Sequence, residues 1–158
     1  MDGELNLVEM ELREIQRIET NKETELKGEA IGSQVIVLGE IHGEREFPIF
    51  IGFAEALALD LALHGYKNQR PMTHDLICNV IDGLGAQMVR VIVDDLRQDT
   101  FFGKLVIRNA LGKEELIDTR PSDAIVLATK RQAPIFVAEH VLDLILRHQE
   151  DEDGGPAE

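Results

Sequence analysis

The chain has 158 residues and a formal net charge of −14 at pH 7, from 16 Lys and Arg against 30 Asp and Glu. That length suits one domain with a core that needs no staples, and 44% hydrophobic residues are typical of a soluble globular protein. The charge argues against unselective nucleic-acid binding, and no apolar run is long enough to span a membrane.

The N-terminal Met1–Leu7 is acidic and has no basic region followed by an apolar one, so it reads as no signal peptide and a cytoplasmic location is expected. Leu5–Leu12 alternates, with Val8, Met10 and Leu12 on one face and Glu9 and Glu11 on the other, which predicts a half-buried strand. Glu19–Gly32 is polar and reads as a loop. Gln34–Ile41 is a second strand, His42–Arg45 a turn and Glu46–Ile51 a third strand. Pro48 cannot donate to a ladder, so the third strand is expected at an edge or a bulge. Phe53–Leu63 predicts a helix apolar on nearly all sides, stopped by Gly65.

After a loop over Tyr66–Pro71, Thr73 is the expected N-cap of a second helix, with Asp75 in its first turn. Leu76, Ile77, Val80, Ile81 and Leu84 give that helix an apolar stripe, and Gly83 and Gly85 close it. Cys78, the single cysteine, has no partner for an internal disulfide and is expected to be buried rather than reactive. Met88–Leu96, Phe101–Arg108 and Glu115–Thr119 form a second group of strands. Pro121 suits the first turn of a third helix, which continues through Ala124, Ile125, Leu127 and Ala128. Pro134–Val137 is a short extended piece, and Glu139–Arg147 a last amphipathic helix. Residues 1–30 carry a net −5 and residues 150–158 another −5, leaving only −4 for 31–149. The expected organisation is one domain over 1–148 and an acidic disordered tail over 149–158.

The order is three strands and two helices, twice. At an offset of 68, Glu55-Ala56-Leu57 aligns with Asp123-Ala124-Ile125, and Asp75-Leu76-Ile77 with Asp143-Leu144-Ile145. This predicts an α+β fold of two β3α2 repeats, with one mixed sheet curling toward a barrel and helices packed on it. Helices apolar on most sides and edge strands both need cover, so a homodimer is expected.

The chemistry gathers at two helix starts. Asp118, Arg120, Ser122 and Asp123 crowd one strand-to-helix corner, which can hold an anion, a metal or a substrate phosphate. The same residues also describe a well-capped helix, with Arg120 paired to Asp118 or Asp123. Arg70, Thr73, His74 and Asp75 stand before the second helix, where Thr73 and Asp75 equally fit capping roles. Glu55 and Asp123 are equivalent in the repeat, and their convergence is left open by the sequence. No Gly-rich phosphate loop, paired CxxC, HExxH or GxSxG occurs. The absence of Trp and the single Tyr argue against a broad aromatic platform for single strands.

Three segments carry a resemblance. His42–Gly52 (HGEREFPIFIG) resembles a G-x-R-x-L-P-I-x-I-G pattern, Arg70–Leu76 an R-P-x-T-H-D-L pattern, and Asp118–Ala124 a D-x-R-P-S-D-A pattern. In this order and spacing they are similar to the bifunctional nuclease domain family, over about Leu5 to Leu146. Phe47 stands where that family usually has Leu, and Gly103-Lys104 is atypical. The resemblance implies hydrolysis of phosphodiester bonds in DNA or RNA. It offers His74, Asp75, Asp118 and Asp123 as catalytic candidates and Arg45, Arg70, Thr73, Arg120 and Ser122 as substrate-binding ones. In that scheme Asp118 and Asp123 would hold a divalent ion, Mg²⁺ or Mn²⁺, through oxygen ligands. The alternative is a non-catalytic dimeric module that binds an anionic ligand or a protein partner.

Overall fold

The computed structural model describes residues 6–17 and 34–154. The loop expected over Glu19–Gly32 and the last four residues of the expected tail lie outside these. Seven strands form one sheet in the order β3-β2-β1-β7-β4-β5-β6. They are β1 (Leu7–Arg17), β2 (Gln34–Glu40), β3 (Glu46–Ile51), β4 (Gln87–Arg97), β5 (Thr100–Arg108), β6 (Glu114–Thr119) and β7 (Ile135–Ala138). Among the described residues four helices pack on it: α1 (Phe53–Leu63), α2 (Thr73–Gly83), α3 (Pro121–Arg131) and α4 (Glu139–Asp153). All neighbouring strands are antiparallel except β4 and β7, so the sheet is mixed and the fold α+β.

The two halves correspond closely. β3 and β6 begin 68 residues apart, at Glu46 and Glu114, and so do α1 and α3, at Phe53 and Pro121. Gly39 pairs with Glu46 in the first hairpin and Arg108 with Glu114 in the second, so the second connection is one residue shorter. β3 and β6 occupy the two ends of the sheet. Pro48 therefore sits on an edge strand, where its missing N–H breaks no ladder. Each edge strand leads directly into the equivalent helix, α1 or α3.

The sheet curls without closing. Four strands lie between Phe47 on β3 and Phe101 on β5 in the sheet order, yet their ring centroids are 5.6 Å apart. β3 and β6 do not pair, so the barrel-like closure expected from the repeat is replaced by an open sheet with edges drawn toward each other. α3 lies inside this curl. Pro121 and the run Ala124–Ala128 are all buried, because α1 covers one side and strands β4 and β5 another. Ile125, Val126 and Leu127 contribute roughly 1.5–3 kcal/mol each by burial.

Two local expectations are corrected. The N-cap of α2 is Met72 and Thr73 is the first helical residue, because the Asp75 carboxylate accepts the Met72 backbone N–H at 2.9 Å and draws the start one residue upstream. The helix α4, expected to end at Arg147, runs to Asp153. Val141 and Leu142 anchor it in the core, and no Gly or Pro interrupts it before Gly154. No helix among the described residues is long and apolar enough to cross a membrane.

Candidate active site

The first turns of α1, α2 and α3 each carry a carboxylate at the third helical position: Glu55, Asp75 and Asp123. A negative charge there meets the positive end of the helix dipole. At the start of α3, Arg120 is the extended N-cap residue and Pro121 the first helical one, as the missing proline N–H allows. The Asp123 carboxylate binds side chains. Arg120 Nε donates to Oδ2 at 2.8 Å and Nη2 to Oδ1 at 3.2 Å, a two-pronged pairing. His74, in the first turn of α2, brings Nε2 to 3.0 Å from Oδ1. A carboxylate only accepts, so Nε2 carries the hydrogen and Nδ1 holds the lone pair when the ring is neutral.

Arg120 Nη2 also donates to Glu55 Oε1 at 3.0 Å. One guanidinium thus joins the N-terminal carboxylates of α1 and α3. Among the described residues its Nη1 makes no hydrogen bond, and the Arg120 side chain is 65% exposed. The residue equivalent to Arg120 in the first half is Gly52, the N-cap of α1. A Cβ there would collide with Glu55 Oε2, so glycine leaves room for the Glu55 carboxylate and one arginine serves both halves. Burial by itself raises the Asp123 carboxyl, but the hydrogen bonds from Arg120 and His74 outweigh it and hold it below the usual carboxylate range.

Asp75 belongs to a neighbouring group. It is ion-paired with Lys130 of α3, and with the Met72 N–H this pair holds its carboxyl below the ordinary value. Arg131 adds a second link from α3 to α2, with Nη2 2.6 Å from Asp82 Oδ2. His74, Asp75 and Lys130 edge a cavity of about 100 Å³ with apolar walls from α1. On the other side, Arg120 and Ser122 line an open cleft of about 300 Å³ against the edge of β3.

The remaining candidates go elsewhere. Asp118 on β6 is 81% exposed and reaches Lys104 Nζ at 3.4 Å rather than Arg120. Asp118 and Asp123 therefore engage different partners, and among the described residues no three His, Cys, Asp or Glu side chains gather around one point. Arg45 clamps the β2–β3 hairpin to the start of α4, with Nη2 2.6 Å from Glu40 Oε1 and Nη1 2.6 Å from Glu139 Oε1. Arg70 and Thr73 are exposed at the entry to α2 and join neither group. The site thus brings together His74, Arg120 and Asp123, with Asp75 and Ser122 beside them. It adds Glu55, which the 68-residue offset marked, and Lys130, which nothing in the sequence signalled.

Over 126 residues the chain is 36% identical to two proteins of Mycobacterium tuberculosis, named Uncharacterized protein MT1877 and Uncharacterized protein Rv1829, covering 78% of this chain and 74% of each relative. The model of the bifunctional nuclease domain matches residues 36–148, from β2 through most of α4 and including every residue of the Arg120 cluster. The chain belongs to the bifunctional nuclease domain family.

Proposed function

We propose that the chain is a phosphodiester hydrolase acting on DNA or RNA, with its site at the junction of α1, α2 and α3. The observation that supports this best is Arg120, an exposed guanidinium that lines a cleft, is held in place by two carboxylates and keeps Nη1 free of hydrogen bonds among the described residues. Nη1 would donate to a non-bridging phosphate oxygen and stabilise the charge that grows there as water attacks. Glu55 Oε1 positions Arg120, while Oε2 lies against Gly52, which lines the cleft, and would take the proton from the attacking water. The new bond joins water oxygen to phosphorus, the bond to the leaving ester oxygen breaks, and that oxygen takes a proton from solvent. His74 acts through Asp123 as a positioning residue. Asp118 pairs with Lys104 and Asp123 with Arg120, and the proposed step is written without a metal ion.

The test is cleavage of labelled DNA and RNA by the purified protein, with Mg²⁺, with Mn²⁺ and with chelator. Glu55→Gln should lower kcat about 100-fold or more with little change in KM. Arg120→Ala should lower kcat/KM by a similar factor. A wild-type protein that cuts neither polymer under any of the three conditions would remove the proposal. The non-catalytic module then becomes the better account.

We further infer that the chain forms a homodimer through α2. Met72, Leu76, Val80 and Leu84 recur every four residues along one face and are 50–72% exposed. The acids of that helix, Asp75 and Asp82, turn instead to Lys130 and Arg131. In a chain of net charge −14, an uncharged apolar face is where two copies approach with least repulsion.

A further inference from the structure

We propose that the cleft beside Arg120 takes an unpaired base, stacked on Phe50, so that the substrate is a single-stranded nucleic acid. This rests on the reading of Arg120 as a phosphate-binding residue. The cleft opens between the edge strand β3 and the start of α3. One wall is the free edge of β3, with Phe50 and Gly52. The other is the β4–β5 turn, with Asp99 and Thr100, together with Arg120 and Ser122 at the start of α3.

Phe50 is out of character for its position. Along β3 the residues alternate, with Phe47, Ile49 and Ile51 buried and Glu46, Pro48 and Phe50 facing outward. An outward aromatic ring, 70% exposed, leaves most of its surface to water. The same cleft that it lines also holds Ser122 and Arg120, whose Nη1 makes no hydrogen bond among the described residues. An aromatic face next to a cation and a hydroxyl matches the two parts of a nucleotide, a flat base and a charged phosphate.

The size of the cleft selects among nucleic acids. About 300 Å³ is the low end of the range for small-ligand sites, enough for one nucleoside rather than a duplex face. In a duplex the base faces are covered by their neighbours, and only an unpaired base offers one to a side chain. Stacking on a single ring does not read base identity, so little sequence preference is expected.

The experiment is fluorescence anisotropy with a labelled mixed-sequence DNA oligonucleotide, its RNA counterpart and the blunt DNA duplex, in chelator, alongside cleavage of the same three. Wild type should bind both single strands about tenfold or more tightly than the duplex. Phe50→Leu, which keeps an apolar cover over the neighbouring strand, should weaken single-strand binding roughly tenfold and leave duplex binding unmoved. Phe50→Trp should bind at least as well as wild type. A thermal melt establishes that each variant is folded. Equal binding by wild type and Phe50→Leu overturns the proposal, as does equal affinity for single strands and duplex, or no single-strand binding at all. Should Arg120→Ala abolish cleavage while Phe50→Leu changes nothing, the hydrolase reading stands and the base site falls. Should wild type cut nothing yet lose single-strand affinity in Phe50→Leu, the base site stands and the hydrolase reading falls.

Discussion

Glu55 and Asp123 hold the same helical position in the two halves of the molecule, and both are hydrogen-bonded to Arg120. The repeat therefore supplies two acids, and one cation lies between them. Arg120→Ala would leave those acids facing each other without a counter-charge. Arg120 is largely exposed, so the expected loss of stability is only about 1 kcal/mol, or a few degrees in Tm. Arg120→Lys keeps the charge but not the fork that reaches both carboxylates. It should recover the melting temperature and less than a tenth of the lost kcat/KM. Full recovery by lysine would mean that charge alone matters there.

Asp75 gives a pH dependence with a definite sign. Its carboxyl is held below its unfolded value, first by Lys130 and then by the Met72 N–H. The stabilisation is therefore complete above the unfolded pKa, about 3.9, and is lost as pH falls through the lower folded value. Asp75→Asn should be about 1 kcal/mol less stable than wild type at pH 7, and the gap should narrow steadily below pH 4. Urea unfolding at several pH values measures this. A gap that stays constant down to pH 2 would contradict the assignment.

Arg45 should behave as a structural residue despite its place in a recognisable motif. It neutralises Glu40, a charged residue only 8% exposed, and ties it to Glu139. Its charge and hydrogen bonds hold the Glu40 carboxyl below the ordinary range. Arg45→Ala leaves a buried carboxylate unpaired, at a cost of about 3 kcal/mol. The double variant Arg45→Ala, Glu40→Gln should recover part of that stability. Nucleic-acid affinity of either folded variant should stay within about twofold of wild type, and a tenfold loss would return Arg45 to the substrate-binding set.

Leu76→Glu tests the dimer. It places a charge in the middle of the uncharged face of α2, where the wild-type side chain is 56% exposed. Light scattering at micromolar concentration should report twice the mass of the 17.7 kDa chain for wild type and the single mass for the variant. The monomer's Tm extrapolated to low concentration should barely change, because an exposed leucine contributes little to the isolated fold. Equal masses for the two proteins would end this assignment of the interface.

The strands and helices were legible because their periodicities are local. The Val- and Ile-rich run of β2, the alternation in β3, Pro48 at an edge and Pro121 at a helix start all act within a few residues. What escaped the sequence depends on distant partners. Asp75 shifts the start of α2 by one residue through its bond to Met72, and α4 outruns its expected end because Val141 and Leu142 hold it in the core. In the site, Asp123 and His74 stood in separate segments that only the packing of α2 on α3 unites. Asp118 and Asp123 looked like neighbours in the sequence. A strand residue on the open edge and a residue one turn into a buried helix nevertheless engage different cations. Glu55 was readable only through the repeat.

The four residues of β7 are the join between the two halves of the sheet. They pair with β1 on one side and with β4 on the other. Leu7 meets Ala138 across this join, so the first strand finds one of its two neighbours far along the chain. During synthesis β1 must wait with an open edge while α1, α2 and α3 emerge. Contacts of such long range slow folding and leave edges open to other chains in the meantime. A chain cut after α3 would keep every residue of the Arg120 cluster and lose the strand that makes the two halves one molecule.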